Sequence, residues 1–287
     1  MIELRAGTAR AVVAPAMGAA LAGLWLGDRP ILRPLRPGAE ADPFAYAMNI
    51  LAPFSNRISD GIVVGGLRHA LTPNLPGEPF PIHGDAFQRP WIVRQTTDSA
   101  LHLALNDGAF GPLRYCARLS YHLGAQSFRA SLTLANRADR PLPFGGGFHP
   151  WFPRDGTTRL AFPASGWWPE GEHHLPATQV PQPIPPRLRF DKARALPAGW
   201  INAGFSGWPG RAQIVQGGDA VPVTLFAPSL STLILYSPKS KAGFFCLEPV
   251  SHPVDAHNLP GQPGLRPLVP GEAMTVTMQL DWNRDEC

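Results

Sequence analysis

Chain breakers divide the apolar sequence into short runs, and this pattern most limits which folds the chain can adopt. The 287 residues include 34 prolines and 29 glycines, yet 44% of the residues are apolar. A disordered polypeptide would lack this apolar content, so frequent turns explain the breakers. Prolines and glycines also interrupt every segment with a helical period. The chain therefore has to be built from short extended segments.

Eight of the apolar runs have the composition of β-strands. In one of them Leu101, Leu103 and Leu105 alternate with His102 and Ala104, which places the leucines on one face of an extended chain. The runs are "ARAVVAP", "ALHLALND", "YCARLSYHL", "SFRASLTLANR", "PVTLFAP", "STLILYS", "AGFFCLEP" and "AMTVTMQLDW". We therefore predict an all-β fold of large antiparallel sheets packed as a β-sandwich, with residues 1–287 in a single domain.

Three further stretches bear on how this domain is delimited. Pro176–Pro186 is proline-rich and is predicted to be a surface loop rather than a linker, because strand-like patterns continue on both sides. The N-terminus is predicted to form a strand pair rather than a signal peptide, since Glu3 and Pro15 interrupt its apolar run. No stretch approaches the roughly 18 uninterrupted apolar residues of a membrane span, so we expect no membrane partner.

Charge and cysteine content exclude other classes of partner. The net charge is +4 with only 16% charged residues, and no Lys/Arg block predicts a nucleic-acid partner. Cys116, Cys246 and Cys287 are far apart and lack C-x-x-C spacing, so neither a disulfide framework nor a zinc site is indicated. A reducing compartment fits these thiols, and we expect a cytoplasmic protein.

A glutamate lies at the end of one apolar run, in "GFFCLEPVSHP". Period 2 puts Phe244, Cys246 and Glu248 on one face of the strand, so the carboxylate continues a half-buried row and needs partners. Because Pro249 cannot donate to a ladder, we expect Glu248 at the end of the strand, where a cleft could open. The alternative is a structural latch, with Glu248 tied to an arginine or to backbone amides.

Four other stretches combine polar side chains with tight backbone. They are "PFSNRISDG" with Asn56 and Arg57, "FPIHGDAF" with His83, "PFGGGFHPWF" with His149, and "GWINAGFSGWPG" with Asn202. Each signal is weak alone. A lone histidine among aromatics is commonly a core residue, and three glycines before a histidine more often mark a bulge or a strand crossing.

Taken together and in this order, "NRISDG", "PIHG", "FHPWF", "GFSGW" and "CLEPVSHPVDAHN" resemble the aldose 1-epimerase (galactose mutarotase) family. The resemblance covers essentially the whole chain. It implies a galactose mutarotase-like supersandwich with a sugar cleft on one concave face. It also implies an isomerase that interconverts the α and β anomers of a free monosaccharide, with neither metal nor organic cofactor.

By this resemblance Glu248 is the catalytic base and His149 the catalytic acid. Arg57 and His83 are then expected to bind the sugar, Asn202 to contact its hydroxyls, and Asn56 to support the loop that presents Arg57. At ordinary pKa values the glutamate is ionised at neutral pH, and its charge is expected to favour a protonated His149.

Two features leave the substrate open. Many family members have an aspartate where this sequence has Asn202, and an amide lacks the charge of a carboxylate. Among the eight tryptophans, Trp151 and Trp208 are expected beside the cleft, whereas Trp167 and Trp168 are expected to pack in the core. The oligomer is expected to be a monomer or a homodimer.

Two other functions fit the same scaffold. One is a sugar-binding or sensor module without turnover, although binding alone does not require an acid and a base together. The other is a hexose-phosphate epimerase, for which the sequence lacks a dedicated arginine cluster. A fold resemblance cannot separate these functions, because function belongs to the site.

Overall fold

A computed structural model describes residues 1–282, and they form strands joined by turns and 3₁₀ helices. The strands are β1 (Ile2–Ala6), β2 (Ala9–Ala14), β3 (Ala20–Leu26), β4 (Arg29–Leu32), β5 (Met48–Leu51), β6 (Ile62–Val64), β7 (Leu67–His69), β8 (Ile92–Thr96), β9 (Ala100–Phe110), β10 (Leu113–Leu123), β11 (Ser127–Asn136), β12 (Leu142–Phe144), β13 (Gly147–Pro153), β14 (Arg159–Ala161), β15 (Gly166–Trp168), β16 (Arg194–Ala195), β17 (Ile201–Ser206), β18 (Arg211–Val215), β19 (Val223–Phe226), β20 (Thr232–Ser237), β21 (Phe244–Val250), β22 (Arg266–Leu268) and β23 (Ala273–Asp281). The 3₁₀ helices are Pro43–Ala45, Ala86–Gln88, Glu172–His174, Pro186–Leu188, Ser240–Ala242 and Ala256–Asn258.

Two large antiparallel sheets hold most of these strands. Sheet I has the order β1-β2-β3-β5-β13-β21-β20-β17-β15, with β4 on β3, and sheet II has the order β16-β14-β18-β19-β23-β11-β10-β9-β8. One hydrophobic cluster takes side chains from both sheets, for example Leu21 and Leu247 from sheet I and Leu119 and Leu280 from sheet II. The predicted all-β antiparallel fold is confirmed.

Burial differs between the sheets. In β10 of sheet II, buried and more exposed residues alternate along all eleven positions, as expected for a sheet with one wet face. In the central strands of sheet I, β13 and β21, nearly every residue is buried, because loops cover the face that is turned away from the core. The polar side chains singled out in the sequence lie on this covered face or in its loops.

Two predictions from the sequence need correction. Glu248 does not end its strand, because β21 continues through Pro249 to Val250, with Leu233 of β20 opposite Pro249. A proline is tolerated inside this sheet where its missing N–H is not needed by a neighbouring strand. Trp208 does not line a cleft, since it is 3% exposed and donates its indole N–H to the carbonyl of Arg211.

Other expectations about particular segments agree with the structure. Pro176–Pro186 contains no strand longer than an isolated bridge, and it runs over the surface as a loop. The N-terminal segment forms the β1–β2 pair. Trp168 is buried and Trp167 packs against the main core. Within residues 1–282, no helix is long and apolar enough to cross a membrane. Cys287 lies outside the described residues.

Candidate active site

A cleft of about 270 Å³ opens on the covered face of sheet I. This volume is near the lower end of the range for small-molecule pockets, about 300–1,000 Å³, which suits a ligand of monosaccharide size. All six site residues singled out in the sequence line it, together with seven others. The lining is Phe44, Asn56, Arg57, Glu78, Ile82, His83, His149, Trp151, His174, Trp200, Asn202, Tyr236 and Glu248.

His149 and Glu248 face each other across two neighbouring strands. The register of β13 and β21 pairs Gly147 with Val250 and Trp151 with Cys246, which puts His149 opposite Glu248 midway between them. His149 Nε2 lies 3.3 Å from Glu248 Oε1. The two side chains belong to segments about 100 residues apart, and the sheet brings them into contact at the floor of the cleft.

The glycines before His149 allow this close approach. A Cβ atom on Gly147 would lie 2.3 Å from the carbonyl oxygen of Pro249, and one on Gly146 would lie 2.6 Å from that of Leu51. Any side chain at these positions would push β13 away from its neighbours. The interpretation of the glycine run as a close strand crossing therefore fits the structure.

Burial sets the protonation of the pair, and it opposes the expectation from the sequence. His149 and Glu248 are 6% and 2% exposed. Desolvation raises the pKa of Glu248 to about 8, and the nearby Arg57 only partly offsets this. Desolvation also lowers the pKa of His149 to about 3. The prediction of an ionised glutamate and a charged imidazole is therefore opposed by burial, which favours a neutral imidazole and a protonated carboxyl group at neutral pH.

The latch alternative for Glu248 does not fit these contacts. Its Oε2 is buried without a hydrogen-bond partner among the described residues, as is Nδ1 of His149. The nearest arginine in the cleft, Arg57, gives Nε and Nη2 to Glu78 instead, at 2.8 Å each. A buried carboxyl group without a full set of hydrogen-bond partners destabilises the folded protein, and such groups occur at functional sites.

Two hydrogen bonds between neighbouring loops hold His83 and Asn56 at the wall of the cleft. The N–H of His83 donates to the carbonyl of Asn56, and the N–H of Asn56 donates to His83 Nδ1, both at 3.0 Å. Both residues have left-handed backbone, with φ of 57° for Asn56 and 62° for His83. Such strain is held in place by the surrounding contacts and clusters at functional sites.

The contact with Asn56 also selects the tautomer of His83. Burial lowers the pKa of His83 well below its ordinary value, so the ring is neutral. Since Nδ1 accepts a hydrogen bond, the ring proton lies on Nε2. His83 therefore offers the cleft one hydrogen-bond donor.

Arg57 is held from two sides. Glu78 accepts its two-pronged hydrogen bond, and Asn56 Oδ1 accepts from the Arg57 backbone N–H at 3.0 Å and from Nη1 at 3.4 Å. A bidentate carboxylate fixes the plane of the guanidinium group. Asn56 thus contacts Arg57 in the way the sequence led us to expect.

Asn202 belongs to a second carboxylate cluster at the rim. Glu170 accepts from Asn202 Nδ2 at 2.7 Å and from Trp200 Nε1 at 2.6 Å, and His174 Nδ1 lies 2.6 Å from it. With Nδ2 engaged, Oδ1 is the atom of Asn202 that remains to accept from a ligand hydroxyl.

Ring stacking orients the imidazole of His149. Its imidazole stacks on Trp151 with ring centroids 5.1 Å apart and planes 11° apart. On Trp151 in turn lies the Arg33 guanidinium group, 4.1 Å from the ring centroid. Trp151 therefore lines the cleft as expected, and the stack fixes the orientation of the imidazole.

Comparison with known proteins places these features in one family. Residues 1–281 match the sequence model of aldose 1-epimerase. The chain belongs to the aldose 1-epimerase family. The uncharacterized protein YphB of Escherichia coli (strain K12) is 35% identical to it over 272 residues, covering 92% of this chain and 92% of YphB.

Solved structures agree with membership of the aldose 1-epimerase family. A protein of Escherichia coli K12, provisionally named an aldose 1-epimerase, has a TM-score of 0.90 at 31% identity over 98% of both chains. A galactose mutarotase-like protein of Clostridium acetobutylicum has a TM-score of 0.87 at 18% identity, covering 98% of this chain and 94% of the other, and shows the shared fold alone. The predicted galactose mutarotase-like fold is confirmed.

Several lining residues of this family member were not singled out in the sequence. They are Phe44, Glu78, Ile82, His174, Trp200 and Tyr236, with Glu170 behind them. Glu78 lies in a proline-rich loop and Trp200 is 45% exposed, so neither carries a sequence pattern that distinguishes it from a surface residue. A search for acidic partners of Arg57 among nearby loops could have found Glu78.

The raised pKa of Glu248 predicts a stability change in Glu248→Gln. Native Glu248 keeps its proton up to about pH 8, whereas an unfolded glutamate loses it near 4.5. Folding therefore takes up a proton in this window, and stability falls as the pH rises through it. The lowered native pKa of His149, about 3, makes stability rise with pH up to its ordinary pKa of 6.5. This contribution of His149 no longer changes above pH 6.5.

Between about pH 6.5 and about pH 8.5, wild type is expected to lose about 2 kcal/mol relative to Glu248→Gln, or about 4 °C in Tm. Thermal melts at both values measure this difference. Glu3→Gln, an exposed residue of β1, is the matched control and should track wild type. Parallel curves for wild type and Glu248→Gln would mean that Glu248 has an ordinary pKa.

Proposed function

We propose that the protein is an aldose 1-epimerase that interconverts the α and β anomers of a free, uncharged monosaccharide by acid–base ring opening. The observation that carries the proposal is the contact of 3.3 Å between His149 Nε2 and Glu248 Oε1, buried at the floor of a sugar-sized cleft. Membership of the aldose 1-epimerase family supports it.

The reaction needs one base and one acid. The base removes the proton from the C1 hydroxyl while the acid protonates the ring oxygen, so that the C1–O5 bond breaks and the free aldehyde forms. Rotation about C1–C2 and closure from the other face give the second anomer. Glu248 is the proposed base and His149 the proposed acid for opening, and their roles exchange on closure.

The proton balance of this pair fits that cycle. At neutral pH the pair holds one proton on Glu248, and its transfer to His149 gives the carboxylate and imidazolium that ring opening requires. Opening then returns the pair to neutral imidazole and protonated carboxyl, the state favoured by burial. Desolvation makes the carboxylate a stronger base and the imidazolium a stronger acid than in water, which offsets part of the cost of forming them.

The remaining polar groups are proposed to position the sugar. His83 Nε2–H donates to the ring oxygen or a neighbouring hydroxyl, and Arg57, held by Asn56 and Glu78, donates to further hydroxyls. Asn202 accepts through Oδ1 at the rim. Fixed donors and acceptors of this kind hold the reacting atoms in place at little entropic cost during the reaction.

The charges of the cleft favour an uncharged sugar over a sugar phosphate. Among the lining residues Arg57 is the one permanent cation, and it already faces Glu78. Glu170 lies behind the rim and adds a second carboxylate, while the protonated carboxyl group of Glu248 adds no positive charge. A phosphate would meet more acidic than basic side chains here, so the hexose-phosphate alternative lacks the cationic pocket that it needs.

The proposed activity is tested by the change in optical rotation of freshly dissolved α-D-glucose, α-D-galactose and L-arabinose, with the spontaneous rate as baseline. We expect acceleration of at least one free sugar. We expect at least about tenfold lower kcat/KM for glucose 6-phosphate, because a charge repulsion of about 1.4 kcal/mol corresponds to a factor of ten. A higher value for the phosphate would favour the hexose-phosphate epimerase. Calorimetric binding of a sugar without acceleration would favour the binding module.

A cytoplasmic location is part of the proposal. Cys116 and Cys246 are both free thiols, which supports a reducing compartment. The single domain over residues 1–287 and the state of monomer or homodimer stay predictions.

A further inference from the structure

Cys246 lies beside the proposed acid and base, and the mechanism does not use it. It precedes Glu248 by two positions on β21, so both side chains leave the same face of the strand. His149 is opposite Glu248 on β13. One ligand atom from each of these three buried residues lies within 4.8 Å of the other two, the one such group among the described residues.

The spacing fits a small divalent cation. At Zn–N and Zn–O distances of about 2.0–2.2 Å, a tetrahedral site separates nitrogen and oxygen ligands by about 3.4 Å and sulfur from either by about 3.6 Å. His149 Nε2 and Glu248 Oε1 are 3.3 Å apart already. The sulfur has to close by at most about 1.2 Å, and a change in the cysteine χ1 angle is the movement that the proposal requires.

Unused polar atoms and charge also fit a cation. Glu248 Oε2 is buried and has no hydrogen-bond partner among the described residues, so a carboxylate lone pair is available to a cation. A carboxylate and a thiolate together balance a charge of +2. Imidazole, thiolate and carboxylate are the donors that Zn²⁺ takes in proteins.

We propose that His149, Cys246 and Glu248 bind one thiophilic divalent cation, Zn²⁺ foremost, and that its binding reversibly switches off the acid–base pair. The cation enters through the cleft, which His149 and Glu248 line. Coordination releases the thiol proton of Cys246 and the carboxyl proton of Glu248 to solvent as the Zn–S and Zn–O bonds form, so the charge balances. The imidazole and carboxylate lone pairs are then engaged by the metal and cannot transfer protons. The binding stands on its own geometry, whereas the inhibition rests on the proposed epimerase function.

Co²⁺ titration of the metal-free protein tests the binding. Wild type should take up one Co²⁺ per chain with the near-ultraviolet thiolate-to-cobalt absorption, and Zn²⁺ should displace it. Cys246→Ser should lack this absorption. Cys116→Ser and Cys287→Ser are the matched controls and should behave as wild type. A cobalt complex without thiolate absorption in wild type would overturn the proposed ligand set.

Inhibition is read in the optical-rotation assay. We expect Zn²⁺ to inhibit wild type and Cys116→Ser, and EDTA to restore the rate. Cys246→Ser should keep its metal-free activity and need at least about 100-fold more Zn²⁺ for the same inhibition, because even indirect partners of a metal ligand change affinity about 10–100-fold. Equal inhibition of Cys246→Ser would overturn the proposal. Should no sugar be turned over, the proposed function fails while the cobalt spectrum still decides the metal site.

Discussion

Glu248→Gln is expected to lower kcat for anomer interconversion by about 10²–10⁴-fold, the range of general acid–base catalysis. An amide cannot take up the C1 hydroxyl proton. It is nevertheless close in shape and charge to the protonated carboxyl group that burial favours. The variant should therefore fold, keep the cleft and bind sugar with little change.

Optical rotation or NMR line broadening of the anomeric protons measures this loss against the spontaneous rate. Calorimetric sugar binding and a thermal melt show that the cleft is intact, and Glu3→Gln on β1 is the matched control with full activity expected. Near-normal turnover of a folded Glu248→Gln protein would remove Glu248 from the mechanism.

His149→Asn is expected to lower kcat by a similar factor and to invert the pH dependence of what remains. In wild type the active pair holds one proton. Above about pH 8 Glu248 loses that proton, no acid is left, and kcat/KM should fall tenfold per pH unit. In His149→Asn the remaining activity depends on ionised Glu248, with water as the acid. The residual kcat/KM should therefore rise with pH up to about pH 8 and level off above it.

The pH dependence of kcat/KM separates this role from a structural one. Loss of the imidazole that stacks on Trp151 will also cost stability, but a purely structural role would scale the rate without changing the direction of its pH dependence. The matched control is His122→Asn on the exposed face of β10, which should keep the wild-type profile. A residual rate that falls above about pH 8, as in wild type, would exclude His149 as the acid.

The strands of sheet II could be predicted from the sequence, whereas the centre of sheet I was harder. In β10 one face is wet, so alternation of apolar and polar residues marks the strand. In β21 both faces are buried, and Pro249 predicts a strand end although β20 continues past it. A local sequence does not show which neighbour needs a given N–H group.

The residues of the candidate site could be named from the order of short motifs, but their partners could not. Glu78 and Glu170 engage Arg57 and Asn202 from loops distant in sequence, and no local pattern indicates such a contact. The choice of Trp208 failed for the same reason, because a tryptophan before a turn can face either the core or a cleft. Trp200 lines the cleft, and no local sequence pattern indicates this.

By itself the sequence determined the all-β class, the family and a set of polar residues that proves to line one cleft. These follow from alternation, chain breakers and motif order, which are local properties of the chain. Only the tertiary structure decided that burial raises the pKa of Glu248 and lowers that of His149, against the expectation, and that Cys246 lies beside them. Desolvation and ligand spacing depend on every atom packed around a site, and those atoms come from strands far apart in the chain.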